Sequence, residues 1–405
     1  MDITDWKRLL DDVLDGQRQE MLSLLERLVN MDSFTTDAAD VKAVGDVIGD
    51  WMRDAGFNVA TADKPPIPED ELWQKFLADP VIARSHSQEV EPGVCLVGHM
   101  DTVFPAGTTK KRPFIVEGDI ARGPGVADMK AGLVANMFAA RALRKLNIMP
   151  CPLTLFFSSD EELGSPTSSK AMMASLAGGR AVICSEPGGL NGKVTLSRKG
   201  SGHMYLQVRG IGSHAGRHYA DGASAIVELA HKILAYNTLV NLDRGLTVNT
   251  GLISGGNSAN SVAPFAEARI HITYRTLSDG KKVVEDIHNA TKECVVPRTN
   301  STISGGLRLY PMERSKKGDC LYAVVQQSGK LLGIPISGHH YESASDAGFC
   351  SSVLGIPSIC SMGPEGDKIH SADEYLALSS LVPRCKLIAL SALQAGLHFS
   401  SGTEG

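Results

Sequence analysis

Hydrophobic positions along the chain follow two rhythms. At the start, Trp6, Leu9, Leu10, Val13, Met21, Leu24 and Leu25 recur at broadly helical spacing among charged residues, which predicts an amphipathic helix within Met1 to Leu25. Val41 to Ala55 repeats that spacing, and Lys130 to Leu146 extends it into a long helix. Between them lie short, mostly apolar runs: Val94 to Gly98, Leu153 to Ser158 and Ala181 to Cys184. Strands without polar alternation are buried on both faces. Their alternation with helices predicts an α/β fold on a mostly parallel, helix-covered sheet. Ligands of such sheets sit beyond the carboxyl ends of the strands, where His99, Glu161, Glu162 and Glu186 all stand.

Residues 62 to 93 interrupt the alternation. Lys64-Pro65-Pro66-Ile67-Pro68 and Glu91-Pro92-Gly93 bracket a helix-like stretch, Glu69 to Leu77, which reads as a surface insertion. The style changes again near residue 200. Gly202 to Val208 alternates like a half-exposed strand, Gly222 to Leu239 is helical, and Leu246 to Ile253 and Ala266 to Tyr274 are strands. Lys281 to Val295 is helical and Ser301 to Leu309 is a strand. The order β-α-β-β-α-β is ferredoxin-like. The α/β style resumes with Cys320 to Leu332, a strand at Ser358 to Cys360 and a closing helix from Leu376 to Leu397. The expected organisation is a main domain of residues 1–199 and 310–405, interrupted by a smaller α+β domain of residues 200–309.

Composition narrows the function. A chain of 405 residues suits two domains. Hydrophobic residues at 43% supply a sizeable core, and a net charge of -5 gives no footprint for nucleic acid. Short basic clusters such as Lys110-Lys111-Arg112 read as solvated surface. No stretch reaches the roughly 18 apolar residues a membrane span needs, and the start lacks the apolar core of a signal peptide. None of the eight cysteines forms a CxxC pair, so they read as reduced residues of a cytoplasmic protein.

The remaining signal is a series of His and carboxylate islands beside Gly or at strand ends. His99 and Asp101, two apart, share a face of an extended chain, which places Asp101 to orient the His99 ring. Asp128 ends a Gly-rich turn before a long helix. A carboxylate there would repel a pyrophosphate and suits a cation, although alone it could be a helix cap. Glu161 and Glu162 are adjacent, so in an extended chain one can be a ligand while the other stays free as a base; an exposed acidic turn is the plainer reading. Glu186 follows the Ala181 to Cys184 strand, and His370 precedes the last helix in a Gly-rich loop. Together these ligands imply a two-metal hydrolytic site.

In order and context the islands resemble the M20 family of metallopeptidases, which includes carboxypeptidase G-like enzymes, peptidase T, aminoacylases and succinyl-diaminopimelate desuccinylases. The segments that carry the resemblance are Gly98-His99-Met100-Asp101-Thr102-Val103, Gly123 to Gly132, Asp160-Glu161-Glu162-Leu163-Gly164-Ser165 and Ser185-Glu186-Pro187. Gly212-Ser213-His214-Ala215-Gly216 and His370-Ser371-Ala372-Asp373-Glu374 complete the set.

The resemblance implies a zinc-exopeptidase-type main domain with an inserted lid and dimerisation domain. It implies two Zn2+ per subunit, with Co2+ or Mn2+ as alternatives. Asp128 would bridge them, His99 and Glu186 completing one site and Glu162 and His370 the other. Glu161 would be the general base acting on a water between the metals, and Asp101 would orient His99. His214 would reach the partner subunit's site in a homodimer and polarise the scissile carbonyl. Asn260 and Arg275 would bind the oxyanion and the substrate carboxylate. Arg198 and Lys199 form a second candidate anion site, or a hinge with solvated charges. The expected activity is carboxypeptidase-like hydrolysis of small peptides or N-acyl amino acids with a free carboxylate. An N-acyl-amino-acid deacylase is the alternative, and an inactive ligand-binding relative the rival from another class.

Overall fold

The computed structural model describes residues 2–62, 67, 69–87 and 90–399, and the chain divides into two compact units. Unit 1 comprises Met1–Ser197, Arg314–Tyr341 and Ser345–Gly405; unit 2 comprises Arg198–Glu313 and Glu342–Ala344.

Unit 1 opens with α1 (Ile3–Leu14), started by a capping box in which Asp2 and Asp5 each accept the other's backbone N–H. The single N-terminal helix expected from the spacing is in fact two. A 3-10 turn at Asp15–Gln17 separates α1 from α2 (Arg18–Val29). Gly16, the weakest helix former in the run, stands in that break. Turning there lets Leu10 and Leu14 on one side, and Met21, Leu25 and Leu28 on the other, bury in one core. Next come α3 (Ala38–Asp54), β1 (Asn58–Thr61), β2 (Val81–Arg84), β3 (Val94–His99), α4 (Ala131–Leu146), β4 (Leu153–Ser158) and β5 (Ala181–Cys184).

These strands and the late Ser358–Ile359 strand form one six-stranded sheet, ordered β1-β2-β4-β3-β5 and then Ser358–Ile359. The pairs β3–β4, β3–β5 and β5 with Ser358–Ile359 are parallel, and β3 and β4 are buried along their whole length. At one edge β1 pairs antiparallel with β2, and β2 antiparallel with β4. The register sets His99 beside Ser158 and Val97 beside Cys184, so the ends of β3, β4 and β5 form one rim.

Of Lys64 to Pro68, all but Ile67 lies outside the described residues. The rest of residues 62–93 is not simply a surface insertion: beside a 3-10 helix, Glu69–Phe76, with Gln74 and Leu77 buried and Leu72, Trp73 and Phe76 exposed, it supplies β2, whose Val81, Ile82 and Ala83 are buried in the central sheet.

The closing helix is shorter than its apolar pattern suggests. It spans Leu381–His398, while Tyr375–Ala377 is a strand paired antiparallel with Ile120–Arg122. Pro383 confines the helix start to the turn that tolerates it.

Unit 2 is a four-stranded antiparallel sheet with two helices: β6 (Gly200–Arg209), α5 (Ala225–Asn237), β7 (Thr247–Gly255), β8 (Phe265–Tyr274), α6 (Leu277–Lys292) and β9 (Asn300–Leu309). Its order, β7-β8-β6-β9, is ferredoxin-like. Alternate residues Met204, Leu206 and Val208 of β6 and Ala268, Ile270 and Ile272 of β8 pack with Leu229, Tyr236, Val283 and Ile287 of the helices. Strand β7 lies at a sheet edge and leaves Leu252 and Ile253 largely exposed. Ser224 and Thr276 cap the two helices, which fixes their starts.

Candidate metal centre

Strand ends, one loop and one hairpin deliver the unit 1 candidates. His99 is the last residue of β3, and Glu186 follows β5 by two residues. Gly132, at the start of α4, lets that helix approach the Glu186 segment closely; a Cβ there would meet the Ser185 carbonyl at 1.9 Å. Asp128 ends a loop whose Gly125 has φ +73°, a conformation suited to glycine, and the Asp128–Met129 peptide is cis. His370 lies between two short strands, Gly366–Asp367 and Tyr375–Ala377, that pair with each other and, through the second, with Ile120–Arg122. That ladder carries His370 to the Asp128 loop.

The result is two triads that share one residue. His99, Asp128 and Glu186 present ligand atoms within 4.8 Å of one another, and so do Asp128, Glu162 and His370. Asp128 divides its oxygens between them: Oδ1 is 3.1 Å from His99 Nε2, and Oδ2 is 3.2 Å from His370 Nε2. Glu186 Oε1 is 3.8 Å from His99 Nε2, and Glu162 Oε2 is 3.2 Å from His370 Nε2. His99, Asp128 and Glu186 are buried, whereas the His370 side chain is half exposed.

The electrostatics are those of crowded carboxylates. Burial pushes the Glu162 carboxyl up and, with Glu186, Asp346 and Glu162 adding repulsion, pushes Glu161 well above its ordinary range. Hydrogen bonds to Asp128 and Glu162 push His370 up to about 10. Burial opposes charge on His99, but Asp101 and Asp128 outweigh it and raise its pKa well above the usual value. In the protein alone, protons on the imidazoles offset the carboxylates; a divalent cation would displace them. One atom is left over. Glu162 Oε1 is buried and has no hydrogen-bond partner, as a carboxylate oxygen waiting for a cation would be. The donor set of imidazole and carboxylate fits Zn2+, Co2+ or Mn2+.

The supporting residues depart in detail from the sequence reading. His99 Nδ1 lies nearer the Asp101 carbonyl, at 3.0 Å, than its Oδ1, at 3.5 Å. The Asp101 carboxylate chiefly accepts Glu161 N–H at 3.2 Å, Glu162 N–H at 3.1 Å and the Thr35 hydroxyl at 2.8 Å. Glu161 and Glu162 sit on a 3-10 turn, Glu161–Leu163, not on extended chain. Two further buried carboxylates support the site, Asp160 of the Glu161–Glu162 segment and Asp346, to which the sequence assigns no role. Asp346 accepts the Ser158 and Ser165 hydroxyls, and Asp160 accepts from Thr167 and Ser168. No local signal marks Asp346, which looks like an ordinary acidic residue at a helix start.

The other candidates belong to unit 2. His214 pairs with Ser261 on two short strands, and the Asn260 carbonyl accepts Ala215 N–H at 2.9 Å, so His214 and Asn260 are neighbours. His214 Nδ1 accepts the N–H groups of Gly216 and Arg217, each at 3.2 Å. In the neutral ring the proton is therefore on Nε2, which can donate. Arg198 is buried and bonds the Ser343 carbonyl and hydroxyl, each at 3.0 Å. Lys199 Nζ lies 2.5 Å from Glu342, and half-exposed Arg275 approaches the same carboxylate at 3.6 Å.

A family model described as Peptidase family M20/M25/M40 matches residues 95–394. Carboxypeptidase G2 of Pseudomonas sp. (strain RS-16) is 24% identical over 387 residues, covering 94% of this chain and 90% of that protein. A succinyl-diaminopimelate desuccinylase of Gluconobacter oxydans (strain 621H) is 26% identical over 313 residues, covering 72% and 78%. Among solved structures, a tripeptidase from Staphylococcus aureus aligns with a TM-score of 0.74 at 20% identity, covering 94% of this chain and 99% of that one.

Proposed function

Because this chain belongs to peptidase family M20/M25/M40 and is thereby a metal-dependent amide hydrolase, we propose that unit 1 holds two zinc ions and cleaves small peptides that carry a free carboxylate. The observation that carries the proposal is the pair of triads joined by Asp128, with Glu162 Oε1 buried and unpartnered. His99 and Glu186 would hold one ion, Glu162 and His370 the other, and Asp128 both. Ions bound there would supply Lewis acidity and lower the pKa of water. Glu161, buried beside the triads, takes the proton from the attacking water and returns it to the departing amine. Asp101 holds the Glu161–Glu162 turn by its two backbone N–H groups and steadies His99.

Unit 2 would supply oxyanion and carboxylate recognition. His214 offers an Nε2 donor, with Asn260 beside it. Of Arg198, Lys199 and Arg275, Arg275 suits a substrate carboxylate best, because its planar fork matches both oxygens and its contact with Glu342 is longer than those of Lys199 with Glu342 and Arg198 with Ser343. Arg198 is engaged with Ser343, which favours a structural role for it. We further propose a homodimer built on unit 2. Edge strand β7 exposes Leu252 and Ile253, and α5 exposes Ile226, Val227 and Leu234, a surface suited to burial against a second copy. Eight cysteines with no disulfide among the described residues support a reducing, cytoplasmic setting, and among the described residues no helix is long and apolar enough to cross a membrane.

Carboxypeptidase-like exopeptidase is the leading reading. N-acyl-amino-acid deacylation is the second, favoured by the likeness to a desuccinylase. One experiment tests both. The protein is stripped with chelator, reloaded with zinc, and offered dipeptides and N-acyl amino acids, with released amine scored. Turnover that disappears on stripping and returns with zinc is expected. Full turnover by verified metal-free protein would overturn the reading, and the preferred substrate class decides between peptidase and deacylase.

A further inference from the structure

Glu374 is 1% exposed, and in unit 1 it is a carboxylate that the proposed chemistry leaves unused. It accepts the backbone N–H groups of Gly125 at 3.2 Å, Ala127 at 2.8 Å and Asp128 at 3.0 Å. Burying a carboxylate is costly unless its oxygens are well supplied with donors, and here the donors belong to one tight loop. The loop has little slack, since a Cβ on Gly125 would meet Thr102 Cγ2 at 2.6 Å and the Asp128 carbonyl at 3.2 Å.

The other end of Glu374 is equally constrained. It precedes Tyr375, which pairs with Arg122 in the antiparallel ladder, and its own N–H donates to the Ser371 carbonyl at 3.4 Å. His370 is in the same short segment. One side chain therefore fastens the loop that presents Asp128 to the segment that presents His370.

The two triads do not depend on this fastening equally. His99 and Glu186 are set by β3 and β5, which the six-stranded sheet fixes. Glu162 and His370 stand on a 3-10 turn and on a loop where His370 itself has φ +60°, and the His370 side chain is half exposed. Neither Glu162 nor His370 stands on a strand of the six-stranded sheet; His370 is held only by the short ladder that flanks it.

We propose that Glu374 is a positioning residue for the Asp128–Glu162–His370 site: seated on the N–H groups of Gly125, Ala127 and Asp128, it holds Asp128 Oδ2 opposite His370 without itself touching metal or substrate. This rests on the two-metal reading above. A glutamine at 374 could keep the N–H groups of Ala127 and Asp128 on one oxygen, since both bond Oε1, but would turn its amide toward Gly125 N–H.

The test isolates each site. His99→Ala leaves the second triad intact, and His370→Ala leaves the first. Zn2+ affinity of metal-stripped protein is measured by calorimetry for each variant with and without Glu374→Gln, and circular dichroism melts of the stripped proteins report folding. Glu374→Gln is expected to weaken zinc about 10–100-fold in the His99→Ala background, the range for loss of an outer partner of a metal ligand, and to change it little in the His370→Ala background. In the otherwise native enzyme, turnover lost in Glu374→Gln is expected to recover as zinc is raised, with KM unchanged. Equal weakening in both backgrounds, no weakening in either, or a loss confined to the His370→Ala background would overturn the proposal. Should Glu374→Gln fail to fold, Glu374→Asp, which keeps the charge and withdraws it by one methylene, is judged by the same comparison. A wild-type protein that binds no zinc in the same titration would instead remove the two-metal reading.

Discussion

Glu161 and Glu162 are chemically identical neighbours in different environments, to which the proposed function gives different roles. On a 3-10 turn successive side chains diverge by about 120°, so only one of the pair joins the His370 triad. Glu161→Gln is therefore expected to keep metal content while turnover falls about 10²–10⁴-fold, and Glu162→Gln to lose metal too; plasma mass spectrometry beside steady-state rates checks this. The reverse pattern of metal loss would exchange the two roles. The divergence was legible in the sequence, but for an incomplete reason, since adjacency separates side chains on a strand and on a 3-10 turn alike. Strand-end candidates were also legible, because an apolar run followed by His or Glu is a local pattern. Glu374 stands in the His370 motif, where nothing in the sequence assigns it a role. Its partner Gly125 is 249 residues away, and nothing local tells a carboxylate which backbone it will meet.

At the scale of elements, wholly apolar runs located β3, β4 and β5 within a residue and alternation located the unit 2 strands within two, whereas β1 and the buried β2 left no pattern long enough to read. Helix limits were less legible. The spacing of Met1 to Leu25 cannot distinguish one helix from two that turn about Gly16, and an apolar stretch from Leu376 hides a strand that pairs with Ile120–Arg122. Such pairing is set by a distant chain segment and leaves no periodicity of its own. The contact between α4 and the Glu186 segment offers a sharp test. Gly132→Ala must push its methyl into the Ser185 carbonyl. A loss of about 1–3 kcal/mol is expected from denaturant melts, as for other overpacked sites, with zinc affinity reduced as Glu186 is displaced. An unchanged midpoint and affinity would mean that the helix start relaxes freely.

At the scale of the whole molecule, the proposed dimer makes His214 act on the partner's substrate. His214→Ala is expected to lower turnover about 10²–10³-fold with normal metal content, the loss typical of one oxyanion donor. Mixing that variant with Glu161→Gln, after subunit exchange, should regain activity because some hybrids hold one complete site. Hybrids demonstrated by mass and yet inactive would confine His214 to its own subunit or exclude it from catalysis. The interruption of unit 1 by unit 2 also orders events during synthesis. His99, Asp128, Glu162 and Glu186 leave the ribosome first, then all of unit 2, and only afterwards the Ser358–Ile359 strand, His370 and Glu374. On the proposed ligand set a nascent chain thus carries an acidic, incomplete metal trap from Glu186 until His370 is made, about 10–40 s at ordinary rates of elongation. On the proposed ligand set the last ligand made, His370, is also the most exposed one, so metal would be loaded last, after the polypeptide is free.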